Sequence, residues 1–548
     1  MSTLGNFLLL GSWLLPLVLS AVALSPGLRK LLPAMGVVAP LPALALAILG
    51  SPAVLDLPWL VLGTRLGLDP TGRIFLVLAA VVWLAAALFG WRAAEIGQRR
   101  AGYDVAFLMA MSGSLLLPLA QDAITFYVAF SLMGLSSYWL VAHFRTAATD
   151  RAARWYLVLT LVGEFALFVG VLLAVIAIGP VMPAFSGDSA PLIALAFAAF
   201  GLAIKTGLVP FHLWLPLAHP AAPVAASAVL SGVMVKAGIL GALRFLPNNG
   251  AVAAVAVDPV LWFGAATAIY GALVGLMQTG TKAALAYSTV SQMGLLCLAF
   301  GLLLRSPGEA ATLAILLFVL HHGFAKAALF LGLGIRASAE NASVLLVCLA
   351  LPAAALAGLP FTSGAAAKGA LKLLAGDGWA IQFVSASSIL TTLLMLRILW
   401  LHRRDITRPG RSPSHPTALV AWLGVTLCVL AWPMVWPEAG DAVAYSLTPK
   451  AAFSAVWPVT LGLVAAALAL WFLRTRALSI PQVPPGDIAA FVRLPRVRTA
   501  DEAPAKPSED APFFAFDRLR DFESRLAQWS IVTLAGTVLA AALGAALL

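Results

Sequence analysis

The chain has 548 residues, 61% of them hydrophobic and 10% charged, with a formal net charge of +11. A soluble domain carries about 25% charged residues, so this composition excludes an ordinary soluble fold. Nor does the basic excess point to nucleic acid: Lys and Arg cluster in short loops between apolar runs, as the positive-inside rule expects of a polytopic membrane protein in a lipid bilayer.

About 20 apolar residues cross ~30 Å of hydrocarbon. Windows of that kind recur sixteen times, near 5–24, 31–50, 74–91, 104–121, 123–142, 154–178, 190–216, 222–246, 256–279, 283–304, 309–335, 343–374, 380–401, 417–436, 453–473 and 529–548. An all-α polytopic membrane fold of about 14–16 transmembrane helices is expected. The first window lacks a basic n-region and a small-residue cleavage site, so it reads as a retained helix rather than a signal peptide. Arg29 and Lys30 follow the first span, Arg92, Arg99 and Arg100 the third, and Arg145, Arg151 and Arg154 the fifth. His402, Arg403, Arg404, Arg408 and Arg411 follow the thirteenth, and Arg474 and Arg476 the fifteenth. All lie after odd-numbered spans, which predicts cytoplasmic ends there and both termini outside.

The seventh window carries Pro210 and Pro216, and the twelfth Pro352 and Pro360. Proline removes an intrahelical hydrogen bond, and non-helical backbone at membrane depth is tolerated only where protein or water satisfies it again. Broken seventh and twelfth helices point to two inverted five-helix repeats around an ion site, although no internal sequence repeat is evident. The predicted divisions are 1–103 for helices 1–3, 104–246 for the first repeat and 256–401 for the second. They continue with 402–474 for helices 14–15, 475–528 for a polar linker and 529–548 for the last span. Within the linker, LPRVRTADEAPAKPSEDAP is rich in proline and charge. DRLRDFESRLAQW spaces Leu519, Phe522 and Leu526 as a short interfacial helix would; a solvated linker is the plainer reading.

Nine ionisable side chains fall at membrane depth: Glu164, Lys205, His212, Lys236, His321, His322, Lys326, Lys368 and Lys372. An ammonium in hydrocarbon costs at least ~2.5–3.5 kcal/mol. A single lysine near a helix end can snorkel to the headgroups, and Lys372 fits that reading. Four lysines deep inside their spans do not. His322 and Lys326 are four residues apart and share a helix face; Lys368 and Lys372 do the same. His212 reads equally as a structural histidine or a relay beside the seventh-span break. Sodium and calcium sites need several oxygen ligands, and Glu164 is the one carboxylate in this set, so the row suits protons. Desolvation favours a neutral amine and a nearby carboxylate favours the ammonium, so moving a carboxylate loads or unloads a proton. Cys297, Cys348 and Cys428 stand alone in apolar segments without a CxxC pair or His/Cys cluster, which argues against a zinc, Fe–S or disulfide framework. The adjacent His321 and His322 point roughly 100° apart on a helix and make no axial haem pair. No cofactor and no metal site are expected.

Several stretches resemble one family. KTGLVPFHLWLPLAHPAAPVAASAVLSGVMVKAGI (205–239) resembles the signature of the antiporter-like subunits of respiratory complex I, of the large Mrp antiporter subunits and of the membrane subunits of hydrogenase-4 and formate hydrogenlyase. The AHPAAP and SGVMVK wording is closest to the hydrogenase-4 type. LAYSTVSQMG (285–294), HHGFAKAALFLG (321–332) and AGLPFTSGAAAKGAL (357–371) look like the family's tenth, eleventh and broken twelfth spans. LGLDPTGRIFLVL (66–78) looks like its hairpin before the third. The similarity covers roughly residues 60–400.

The resemblance implies a proton path in which Lys205 takes the place of the seventh-helix lysine and Lys236 that of the eighth-helix lysine. Lys326 and His322 match the eleventh-helix pair, and Lys368 the terminal charge of the twelfth. It also implies a departure. The family's fifth helix carries a glutamate that partners the seventh-helix lysine, and here Ser131 stands in that position. Glu164, one helix on, is the candidate replacement; otherwise coupling at this end is altered or lost. The expected function is proton translocation in a multi-subunit energy-converting complex of NADH-quinone oxidoreductase or hydrogenase type in a bacterial inner membrane. Redox chemistry would reside in other membrane and peripheral subunits, not in this chain. The alternatives are the proton-conducting half of an inorganic-carbon uptake system and a non-pumping scaffold.

Overall fold

The computed structural model describes residues 3–50, 54–60, 62–181, 190–336, 341–406, 414–436, 440–476 and 480–490. These form an all-α membrane protein with one small hairpin. Its helices begin with α1 (Thr3–Ser20), α2 (Leu32–Val38), α3 (Leu41–Leu49), α4 (Pro70–Gly90), α5 (Arg100–Leu116), α6 (Ala123–Val141) and α7 (Ala147–Ile178). Then come α8 (Leu192–Thr206), α9 (Trp214–Ala221), α10 (Val224–Val229), α11 (Lys236–Phe245), α12 (Gly250–Leu276), α13 (Thr281–Arg305) and α14 (Glu309–Gly334). The series closes with α15 (Ala342–Ala357), α16 (Ser363–Ala375), α17 (Trp379–Ile406), α18 (Pro416–Val435), α19 (Gly440–Ser446) and α20 (Pro449–Thr475).

Local chemistry sets the helix starts. Asp69 caps α4, accepting the Gly72 amide at 2.5 Å with Pro70 in the first turn, and Asp122 caps α6 through the Thr125 amide at 2.7 Å. Thr146 and Thr149 form a reciprocal capping box on α7. Asp69 also accepts Arg244 at 2.8 Å and Gln121 at 3.2 Å, tying the α4 start to α11. The antiparallel hairpin of β1 (Val54–Leu57) and β2 (Thr64–Gly67) leads into α4, where the sequence resemblance predicts one.

Thirteen segments of the described residues are long and apolar enough to cross a membrane. They correspond to the expected first eleven, thirteenth and fifteenth spans. The twelfth divides into α15 and α16, neither of span length, and the fourteenth is the shorter α18. The sixteenth window, 529–548, lies outside the described residues, as does the predicted interfacial helix. Burial separates core from periphery: α13 and α14 are enclosed almost throughout, whereas α20 faces outward along most of its length. Where α12 meets α13, Gly264, Gly271 and Gly294 let the backbones approach until no Cβ would fit, the small-residue packing expected between helices in lipid.

Both predicted broken helices are present, but proline is not where they break. α8 ends at Gly207 and α15 at Gly358, each in the left-handed region (φ +74° and +96°) that glycine adopts without a Cβ penalty. The following residue is leucine in both. Leu208 donates to Ala203 O and Leu359 to Ala354 O, each at 3.1 Å, closing the same reverse turn. The sequences there read GLVPF and GLPF, so the two breaks share their turn chemistry. Pro210 and Pro360 follow the turns and prevent re-entry into the helix. Pro216 instead lies in the first turns of α9, where a missing N–H costs little, and Pro352 lies within α15. Between α10 and α11, Leu230–Met234 form a π turn, with Val235 N bonded to Leu230 O at 3.3 Å.

The expected polar linker from 475 is not solvated throughout. Residues 480–490 fold back as a strap onto the bundle, with Asp487 and Ala489 buried.

Candidate functional site: a buried row of lysines

The sequence-selected cations sit inside the protein rather than at headgroup level. Lys236 and Lys326 are 0% exposed, and Lys205, Lys368 and Lys372 are also buried. Each amine has an identifiable neighbour. Lys205 lies in the last turn of α8 with Nζ 4.9 Å from the centre of the Phe130 ring, a cation–π approach. Lys236 Nζ donates to Ser231 O in the π turn. Lys326 Nζ donates to Leu285 O at 2.9 Å. Lys368 Nζ donates to Ser388 Oγ at 2.9 Å and to Ala357 O at 3.0 Å. Ala357 ends α15, so Lys368 occupies the negative pole of a half-helix, where terminal carbonyls lack intrahelical partners. Lys372 does not snorkel; it donates to the O and Oγ of Ser454 at 2.9 and 2.8 Å.

Glu164, on α7, shares a small cavity with Lys205. Phe130, Tyr156, Thr160, Gly163, Gly201, Ile204 and Trp214 complete the lining. Its volume of about 10 Å³ is close to what one water needs. The two charged groups make no direct ion pair, and Glu164 Oε1 has no hydrogen-bond partner among the described residues. They flank Gly134 of α6: a Cβ there would fall on Glu164 Oε1 and 3.0 Å from Lys205 Nζ. Absence of that side chain keeps the space open. Ser131, one turn earlier on α6, lies beside Glu164, its hydroxyl without a close hydrogen-bond partner among the described residues.

The histidines divide by environment. His321 Nδ1 meets Ser363 Oγ at 2.8 Å, linking α14 to the start of α16. His322 is fully buried with neither ring nitrogen partnered among the described residues. His212 Nε2 contacts Asp487 Oδ2 at 2.9 Å. His219, absent from the sequence selection, is also fully buried with both nitrogens unpartnered among the described residues, and it stacks on Phe330 at 4.5 Å between centroids. Phe330 is one turn after Lys326, so His219 stands close to that lysine. Its signal was the AHPAAP wording itself.

Three further buried acids were also missed, among them Asp122, which caps α6. Asp104 is buried in α5 beside Arg100, 3.3 Å away, and Asp487 arrives from the strap. Glu164 is therefore not the sole buried carboxylate.

Ser231 and Thr289 carried no signal as separate residues, yet they join the two expected repeats. Ser231 Oγ and Thr289 Oγ1 are 2.7 Å apart, and Thr289 Oγ1 donates to Leu285 O at 3.3 Å. Leu285 O is the same carbonyl that accepts Lys326. Lys236 thus donates to the Ser231 carbonyl, while the Ser231 hydroxyl contacts Thr289, whose hydroxyl shares the Leu285 carbonyl with Lys326; the two amines border one buried polar cluster.

An all-α bundle with two interrupted helices and buried cations beside the interruptions defines an antiporter-like membrane subunit. The chain belongs to the family described as NADH:quinone oxidoreductase/Mrp antiporter, transmembrane, which matches residues 120–394. An uncharacterized protein of Mycobacterium tuberculosis (strain ATCC 25618 / H37Rv) is 32% identical over 373 residues, 63% of this chain and 56% of that protein. Hydrogenase-4 component B of Escherichia coli (strain K12) is 34% identical over 249 residues, 42% of this chain and 36% of that one. The chain therefore spans about half or less of these relatives. A chain of the Mrp complex from Dietzia sp. DQ12-45-1b has the same fold, with a TM-score of 0.70 at 22% identity over 89% of this chain and 58% of that one.

Proposed function

We propose that this chain moves protons across a bacterial inner membrane as one subunit of a multi-subunit energy-converting complex of NADH-quinone oxidoreductase or hydrogenase type. The observation that carries this reading is the buried polar cluster of Lys236, Ser231, Thr289 and Lys326, which gathers buried amines of two five-helix sets around paired hydroxyls. Lysines and hydroxyls hold and pass protons. They make a poor site for a metal cation, which needs several oxygen ligands. In this reading 104–246 and 256–401 are the two repeats, and the path runs through Lys205, Lys236, Lys326 with His322, and Lys368. His219, His321 and Lys372 flank it. Glu164 replaces the missing fifth-helix glutamate at Ser131, because it reaches the cavity of Lys205.

The charge bias after odd-numbered spans puts the His212 side of the seventh-span break toward the cytoplasm. Other membrane and peripheral subunits carry the redox chemistry. The family membership and the similarity to hydrogenase-4 component B support a place in such a complex.

The test is proton flux in proteoliposomes holding the native complex. Lys236→Ala should abolish most coupled flux while the protein still inserts, since removing a buried charge eases insertion. Glu164→Gln should be as damaging as Lys205→Ala, and adding Ser131→Glu should restore part of the loss. Near-normal flux in Lys236→Ala would sink the path, and a fully active Glu164→Gln would remove Glu164 from it.

A further inference from the structure

The strap delivers a carboxylate to the seventh-span break. Val483 N donates to Met277 O at 3.3 Å, Gln278 Nε2 to Val483 O at 3.1 Å, and Arg151 Nη2 to Ala489 O at 2.7 Å. Ala489 packs in an apolar cluster with Trp155 and Leu213, and Gly486 lies against Leu217. The backbone then turns through Gly486 (φ +78°) and Asp487 (φ +30°). A non-glycine residue persists in that left-handed region only where its surroundings over-determine it. Here they do. Asp487 Oδ2 accepts the hydroxyls of Tyr287 at 2.8 Å and Tyr270 at 3.0 Å, meets His212 Nε2 at 2.9 Å, and Oδ1 accepts the Ile488 amide.

This contact set fixes the chemistry. Both tyrosine hydroxyls and the amide are donors, so the carboxylate is the common acceptor. His212 Nε2 must then carry the proton it shares with Oδ2. A neutral imidazole has one donor and one acceptor nitrogen, which leaves His212 Nδ1 as the acceptor. Nδ1 is fully buried and unpartnered among the described residues. Burial raises the Asp487 carboxyl, but the hydrogen bonds from His212, Ile488 and Tyr287 outweigh it and hold Asp487 below the usual carboxylate range. Around His212 the facing groups are Asp487 from the strap, Tyr270 from α12 and Tyr287 from α13.

We propose that Asp487 is a positioning residue for His212, holding its imidazole as the Nε2–H tautomer so that Nδ1 receives and returns the translocated proton. The inference rests on the proton-path reading above. An N–H bond forms at Nδ1 as a proton arrives, the imidazolium is balanced by the ionised Asp487, and the same bond breaks when the next group takes the proton. Asp487 stays ionised throughout. The residue lies outside the family-matching region 120–394. It also joins the two repeats, because His212 belongs to the first and Tyr270 and Tyr287 to the second.

The test uses the full chain in its native complex, reconstituted in proteoliposomes. Asp487→Asn keeps the shape but cannot balance the imidazolium; flux should fall on the order of a hundredfold, the low end for removing proton-transfer assistance. Its pH profile should move to lower pH. Asp487→Glu should keep most of the flux, and Asp487→Ala should recover on adding formate, which refills the carboxylate position. In a His212→Gln background, Asp487→Asn should add nothing further. Unchanged flux in Asp487→Asn, an additive loss with His212→Gln, or failure of both Glu and formate to restore flux would overturn the assignment. Loss of insertion in every Asp487 variant would make the residue structural and overturn it too. A wild-type complex that moves no protons overturns the path itself, whereas a conducting wild type with an unaffected Asp487→Asn overturns Asp487 alone.

Discussion

Gly134 shows how much a single missing side chain decides. Lacking a Cβ, it leaves room for the Glu164 carboxylate beside the Lys205 amine. Alanine there must displace the Glu164 carboxylate or the Lys205 amine, yet it changes no charge. Gly134→Ala is therefore expected to lower proton flux at least tenfold, with insertion retained and a thermal destabilisation of about 1–3 kcal/mol, the usual range for overpacking. Flux and melting measured on the same preparation check this; normal flux would mean that the two groups need no shared space. The nine side chains selected from sequence alone were legible because ionisable residues are rare and conspicuous in apolar runs. His219, Ser231 and Thr289 were not, because a lone histidine or hydroxyl acquires meaning only from what stands opposite it.

Among elements, the two interrupted helices are the parts whose existence was readable and whose cause was not. Two prolines in each long window made a break visible. The stopping device is instead a left-handed glycine followed by leucine, at Gly207 and at Gly358. At Gly358 a Cβ would lie 3.1 Å from Lys368 Cδ, so the turn and the charged residue are coupled. Gly358→Ala should cost ~1–2 kcal/mol for the left-handed backbone and also perturb Lys368. The expected outcome is a lowered melting temperature together with reduced flux; a stable protein of normal flux would show that the turn tolerates a side chain.

At the scale of the whole molecule, the strap holds two halves that loops alone would leave less constrained. Its anchor is electrostatic and should respond to pH with a definite sign. Asp487 is held below the usual carboxylate range, so its anchoring is fully present above that range. It is lost as pH falls through the folded value. Hydrogen exchange at residues 480–490, normalised for intrinsic rates, should show protection at neutral pH and its loss only in strong acid. Asp487→Asn should abolish that difference. Release already near pH 6 would contradict the sign of the coupling.

Composition, periodicity and charge bias determined the class of this protein, since an apolar run of about 20 residues has few alternatives to a membrane helix and buried lysines demand a function. The motif order identified the family for the same reason: those residues are local and contiguous. What tertiary structure decided is which polar atoms meet. Lys236 and Lys326 border the paired hydroxyls of Ser231 and Thr289, and Glu164 stands near Lys205 beside a glycine of another helix. Asp487 comes back from a segment 275 residues after His212. Hydrogen bonds and charge pairs act over a few ångströms in space, and sequence distance carries no information about that separation until the helices pack.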